Sequence, residues 1–216
     1  MEIPNLLGAI EAHLAGELGD HETARALAEI LHEDALSWRA PEIDPARIDT
    51  IMAFTFGNRM LPNGNRTPGP VNEALADVAV GLYRQKAVRI YAQWEVAEAI
   101  GSRVAQDQVT AIYPGRDERA APVYLSTSGV VSSVVAMQAD RRSLGVVGVV
   151  GFADHLWRCV TTVRQFGLDA YAPRGCAMPG EYDAHSGQPW CRSRLAFLIH
   201  DIMIRATERR ARLMEK

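Results

Sequence analysis

Residues 144–173 read LGVVGVVGFADHLWRCVTTVRQFGLDAYAP, and this stretch decides the fold class. Its first nine residues form an apolar Val/Gly run too short for a core helix and lacking polar alternation, the pattern of a strand covered on both faces. Apolar positions then recur at helical spacing over 154–166. Gly167 ends that pattern, and LDAYAP (168–173) begins a second short apolar run. Strand, helix and strand in this order make a crossover unit, which places the two strands parallel.

Working outward, the same alternation continues upstream. IDTIMAFTF (48–56), VRIYAQ (88–93) and PVYLS (122–126) read as strands, with helical patterns at 70–85, 95–105 and 128–140 between them. The expectation is an α/β fold: a Rossmann-like three-layer sandwich on a mostly parallel five-stranded sheet. It carries an N-terminal helical extension (1–40) ahead of the main domain (41–216). The extension holds two amphipathic helices over 4–38, with Asp20 as a cap and Thr23 three residues later. APEIDPAR (40–47), with its two prolines, stops the helical pattern and leads into the first buried strand. At the other end a long helix over 189–213 finishes in a basic segment, which suits a helix C-terminus.

Composition narrows the function classes. The chain has 216 residues, 48% hydrophobic and 23% charged, which are ordinary globular values and argue against disorder. A net charge of −3 supplies no basic field for nucleic acid. The imbalance is local: residues 1–50 hold eleven acids against three arginines, which makes a solvated face or a partner surface. Three cysteines, 159, 176 and 191, form an odd set without CxxC spacing, as in a reducing compartment. The amino terminus is acidic where a secretory signal would be basic, and no apolar run reaches the ~18 residues of a membrane span. A cytoplasmic protein is expected, with a small-molecule ligand as partner, neither nucleic acid nor membrane engaged, and room for a homodimer.

Ligands of open parallel sheets bind beyond the carboxyl ends of the strands, so the residues that follow each strand carry the functional reading. After the first comes FGNRMLPNGNRTPG (56–69). Gly57, Gly64 and Gly69 permit close backbone approach there, and Asn58, Arg59, Asn63, Asn65 and Arg66 offer donors to an anion. About thirteen irregular residues exceed an ordinary connection and favour function. After the second strand Trp94 can stack on a planar ligand, and Glu95 can bind a hydroxyl or act as a base. Ser126, Thr127 and Ser128 gather hydroxyls at a helix start suited to phosphate or carboxylate. After the fourth strand Asp154 can cap the next helix or orient the ligand, His155 can donate to an anion or move a proton, and Arg158 can hold the anion or pair with Asp154 one turn away.

Other chemistries lack their motifs. Glycines 145, 148 and 151 run GxxGxxG inside the strand, not the GxGxxG of a nicotinamide site, and neither GxxxxGK[ST] nor GxSxG occurs. Cys176, Glu181, Asp183, His185 and Cys191 all have ligating side chains but lack zinc spacing, so no metal is expected. His200 and Asp201, inside the final apolar helix, read as core groups.

The strand ending at Gly57, the helix NEALADVAVGLYRQK (72–86), VRIYAQ, the STSG segment and above all 146–173 resemble, in that order, the YdcF/SanA/ElyC-like family of bacterial Rossmann-like proteins. Asp154, His155 and Arg158 fall on the family's most specific motif. The chain departs from the pattern at Gln93-Trp94-Glu95, where the family tends to carry Ser-Gly-Gly, and after Thr127, where Ser128, Gly129 and Val130 stand in place of the x-Glu-Asn of the family's Thr-x-Glu-Asn. The resemblance implies a Rossmann-like sheet and a small-molecule site, with S-adenosylmethionine as a candidate cofactor. Three functional expectations stand beside one another: a small-molecule enzyme acting on an anionic or nucleotide-like metabolite, a methyltransferase or other protein using S-adenosylmethionine, and a noncatalytic sensor or interaction module.

Overall fold

A computed structural model describes residues 5–115 and 125–215. The chain divides into a larger unit, Arg39–Phe197, and a smaller one made of Met1–Trp38 and Leu198–Lys216.

Among the described residues the larger unit is built on six parallel strands: β1 (Glu42–Ile43), β2 (Thr50–Ala53), β5 (Arg89–Gln93), β6 (Val109–Ile112), β7 (Val146–Val150) and β8 (Asp169–Pro173). A separate antiparallel hairpin of two residues a side, β3 (Arg59–Met60) and β4 (Arg66–Thr67), follows β2. The sheet order is β1-β8-β7-β2-β5-β6, so the chain runs outward from β2 through β5 to β6, then crosses back to β7 and β8 on the other side of β2. Strand order therefore reverses between β2 and β7, and a crevice outside the carboxyl ends of these strands is where such sheets bind ligands.

Four helices connect the strands: α3 (Pro70–Gln85), α4 (Trp94–Ile100), α5 (Thr127–Ala136) and α6 (Leu156–Gln165). Ile51, Met52, Ile90, Val147 and Val149 of the strands are buried, as are Leu75 and Ala79 of α3, Val130 and Val134 of α5, and Val160 and Val163 of α6. Burial of all four residues of β2 explains its continuous apolar run, because each face of the strand meets other apolar groups rather than water.

The α/β class, the parallel sheet, the four crossover helices and the long final helix agree with the sequence reading. The strand count does not. β1 forms inside APEIDPAR and adds a sixth strand beside β8, with Glu42 opposite Ala172. Among the described residues the strand after α4 is β6, ahead of PVYLS. Leu125 and Ser126 form no strand, and residues 122–124 lie outside the described residues. β6 is a short edge strand whose first three residues are only half-buried, so it carries little apolar signal. Of the three spaced glycines, Gly148 alone lies in β7; Gly145 precedes it with φ +58° and Gly151 follows it.

In the smaller unit, α1 (Leu6–Leu18) and α2 (His21–Asp34) occupy the expected N-terminal helical region. Asp20 caps α2 by accepting from the Glu22 and Thr23 amides at 3.1 Å each and from the Thr23 hydroxyl at 2.7 Å. α7 (Arg194–Met214) begins in the larger unit and continues from Leu198 in the smaller. Within the smaller unit Arg209 of α7 pairs with Asp34 and Glu33 of α2. Among the described residues no helix is long and apolar enough to cross a membrane.

Candidate functional site

The segment after β2 is held by saturated amides. Asn72, fully buried in the first turn of α3, accepts from the Phe56 amide (2.9 Å) and the Thr55 hydroxyl (2.6 Å). Its own amide donates to the carbonyls of Gly57 (2.8 Å) and Pro68 (2.6 Å). The Thr55 amide donates to Gln93 Oε1 at 2.9 Å. These bonds fix the loop from both ends, so 56–69 is not irregular as its length suggested: it runs from a pinned turn into the β3/β4 hairpin.

Gly57 turns the chain with φ +71°, and a Cβ there would collide with the Ser186 hydroxyl. Gly57→Ala is expected to cost about 2 kcal/mol, combining left-handed backbone strain with displacement of Ser186. A denaturant midpoint within error of wild type would contradict this.

Beyond Gly57, Asn58 is buried, its carbonyl accepts from the Gly187 amide at 2.6 Å, and its Nδ2 donates to Glu95 Oε1 at 3.5 Å. Glu95, in the first turn of α4 just after β5, is only 4% exposed. Its other oxygen, Oε2, is buried without a hydrogen-bond partner among the described residues. Burial raises its pKa to about 7, opposed by hydrogen bonding from its own backbone, Asn58 and Thr55 and by the charge of Arg66. Trp94 beside it is half-buried, and Arg66 on β4 is exposed.

On the other side of the reversal, Thr127, His155 and Arg158 are all buried. Arg158 donates from Nη1 to Thr127 Oγ1 at 3.0 Å, and His155 Nε2 lies 3.4 Å from the same hydroxyl. Ser126 is the cap of α5, accepting from the Gly129 amide, while its hydroxyl meets that of Ser128 at 3.0 Å. The three hydroxyls thus separate: two serve the helix start, and Thr127 turns toward His155 and Arg158. Below them Phe56 stacks on Phe152 at 3.8 Å between ring centroids, with Phe197 and Tyr182 set edge-on against Phe56.

Asp154 behaves differently from its expectation. It neither caps α6 nor pairs with Arg158. Its carboxylate takes a two-pronged bond from Arg194 (2.9 and 3.0 Å) and the Tyr182 hydroxyl (2.9 Å). Burial and this carboxylate hold the Tyr182 phenol well above its ordinary range. Arg59 is likewise engaged, by Asp183 at 2.8 and 3.1 Å, and that pairing holds the Asp183 carboxyl below its usual range. The segment 174–193, which holds Cys176, Glu181, Asp183, His185 and Cys191, supplies partners of Arg59, Asp154 and Asn58. Among the described residues no three His, Cys, Asp or Glu side chains form a metal-holding group. Cys191 is buried, and burial pushes its thiol up to about 12 against the opposing charge of Arg158, which leaves it protonated.

The structure therefore gathers Gly57, Asn58 and Glu95 on one side of the strand reversal and Thr127, His155 and Arg158 on the other. Arg59 and Asp154 are tied into ion pairs with 174–193 and α7. Thr55, Asn72, Gln93 and Tyr182 escaped the sequence reading. Asn72 follows the proline that opens a helix, an ordinary position whose role depends on a loop folded back across it. Comparison with protein-family models, curated proteins and solved structures found no match to this chain.

Proposed function

We propose that this chain binds a small anionic or nucleotide-like metabolite beyond the carboxyl ends of β2, β5 and β7 and acts on it as a small-molecule enzyme. The observation that supports this reading is the burial of a cation, an imidazole and a hydroxyl together at the point where strand order reverses: Arg158, His155 and Thr127. Arg158 and His155 both meet the Thr127 hydroxyl, and a guanidinium beside an imidazole and a hydroxyl is a donor set suited to an anion. Arg158 and Thr127 hold the anionic group in this reading, and Arg66 adds positive charge from the hairpin. His155, beside the same hydroxyl, donates to the ligand or transfers a proton. Glu95, titrating near 7 across the reversal, accepts a hydrogen bond or a proton.

The test is mass spectrometry of small molecules released from the purified protein, followed by calorimetric titration of each hit and of S-adenosylmethionine, which the family resemblance suggests. A retained phosphate- or carboxylate-bearing metabolite is expected, binding about tenfold or more weakly to Arg158→Ala. Loss of turnover in His155→Ala with an unchanged melting temperature would assign the proton step. No retained metabolite and no binding at millimolar concentration would overturn the reading in favour of an interaction module.

A further inference from the structure

Glu95 is a buried carboxyl with one oxygen unsatisfied, and its surroundings say what would satisfy it. The polar groups nearest the turn are already committed: Asn72 makes four hydrogen bonds, and Gln93 Oε1 takes the Thr55 amide. Asn58 directs its amide at Oε1, the nearby Thr55 hydroxyl donates to Asn72 Oδ1, and Oε2 has no hydrogen-bond partner among the described residues. Above pH 7 the carboxyl is ionised and both oxygens only accept, so the natural complement of Oε2 there is an O–H or N–H from outside the chain. The positive charge of Arg66 acts on the same carboxyl and disfavours a cationic donor beside it. A neutral donor remains, and a hydroxyl is such a donor.

Across the sheet, β5 and β7 flank β2, so the strands that lead toward α4 and α6 are two strand spacings apart, about 10 Å. That is the scale of a sugar carrying a phosphate. Resting on the function proposed above, we infer that Glu95 is the specificity-determining residue of this site: Oε2 accepts a hydrogen bond from a hydroxyl of a phosphorylated sugar, free or within a nucleotide, whose anionic end lies toward Arg158.

The test titrates ribose 5-phosphate, adenosine 5′-monophosphate and their 2-deoxy and 3-deoxy counterparts into the full chain, as wild type, Glu95→Gln and Glu95→Ala, at pH 8, with melting curves to show that each variant folds. At least one hydroxylated probe is expected to bind wild type about tenfold or more tightly than a deoxy counterpart. In Glu95→Ala that gap should close to within about twofold, and Glu95→Gln, which keeps an acceptor oxygen, should retain part of it. Comparing the two hydroxylated probes separates recognition of the sugar phosphate alone from recognition of a nucleotide. A gap that persists in Glu95→Ala, or binding that ignores hydroxyl removal in wild type, would overturn the role of Glu95 and leave the ligand site standing. Binding of none of these probes by a protein that retains an anion without hydroxyls would do the same. Binding of no probe together with no retained metabolite would overturn both readings.

Discussion

Asp201→Ala is expected to lower the unfolding free energy by about 3–5 kcal/mol, because it takes the paired carboxylate away from a buried guanidinium. Asp201 and Arg205 stand one helical turn apart in α7, are 0% and 2% exposed, and pair at 2.6 Å. Arg205 also donates to the Ser37 carbonyl at 2.7 Å and lies over the Trp38 ring, 4.1 Å from its centroid. The arginine thereby ties α7 to the end of the N-terminal segment within the smaller unit. Replacing both charged partners should cost far less than removing one, since a buried pair contributes little net stability over apolar groups of similar volume. Chemical denaturation of Asp201→Ala and of Asp201→Ala/Arg205→Met checks this. A single variant within about 1 kcal/mol of wild type, or a double variant no more stable than the single, would contradict it.

Glu95→Gln should act in the opposite direction and only at higher pH. The folded carboxyl titrates near 7 against an ordinary value of 4.5. Below 4.5 it is protonated in both states, and folding carries no penalty from it. Between 4.5 and 7 the unfolded chain loses the proton while the folded chain keeps it, so rising pH favours unfolding. Above 7 both states are ionised and the full penalty persists, about 3 kcal/mol for a shift of this size. Glutamine removes the ionisation and keeps the shape. The variant should match wild type near pH 4.5 and melt roughly 6–10 °C higher at pH 8. A difference that stays constant from pH 5 to 8, or a variant less stable at pH 8, would show that Glu95 is not held neutral by burial.

Much of the larger unit was legible because covered strands and crossover helices leave long-period signals. The helix pattern at 70–85 matches α3 end to end, and the apolar runs around β2, β5, β7 and β8 mark their strands within a few residues. β1 and β6 left little trace, the first having two residues and the second a half-buried edge position. Position after a strand was enough to point to Asn58, Glu95, His155 and Arg158, whereas Thr127 was marked by the helix start it occupies, since Leu125 and Ser126 before it form no strand. Partner choice was not readable. Asp154 and Arg158 stand one turn apart, yet each takes a partner more distant in sequence, Arg194 for one and Thr127 for the other. Local spacing sets which side chains can meet, and only the path of 174–193 and α7 decides which do.

The central claim, a ligand beyond the carboxyl ends of β2, β5 and β7, is tested most directly by hydrogen–deuterium exchange of the full chain with and without the small-molecule fraction of a cell extract. The account predicts slowed exchange in the amides of 56–60, 93–96 and 125–129 and around 152–158, with the slowing around 152–158 lost in Arg158→Ala. Unchanged exchange in all four segments, or protection confined to the N-terminal helices, would contradict it.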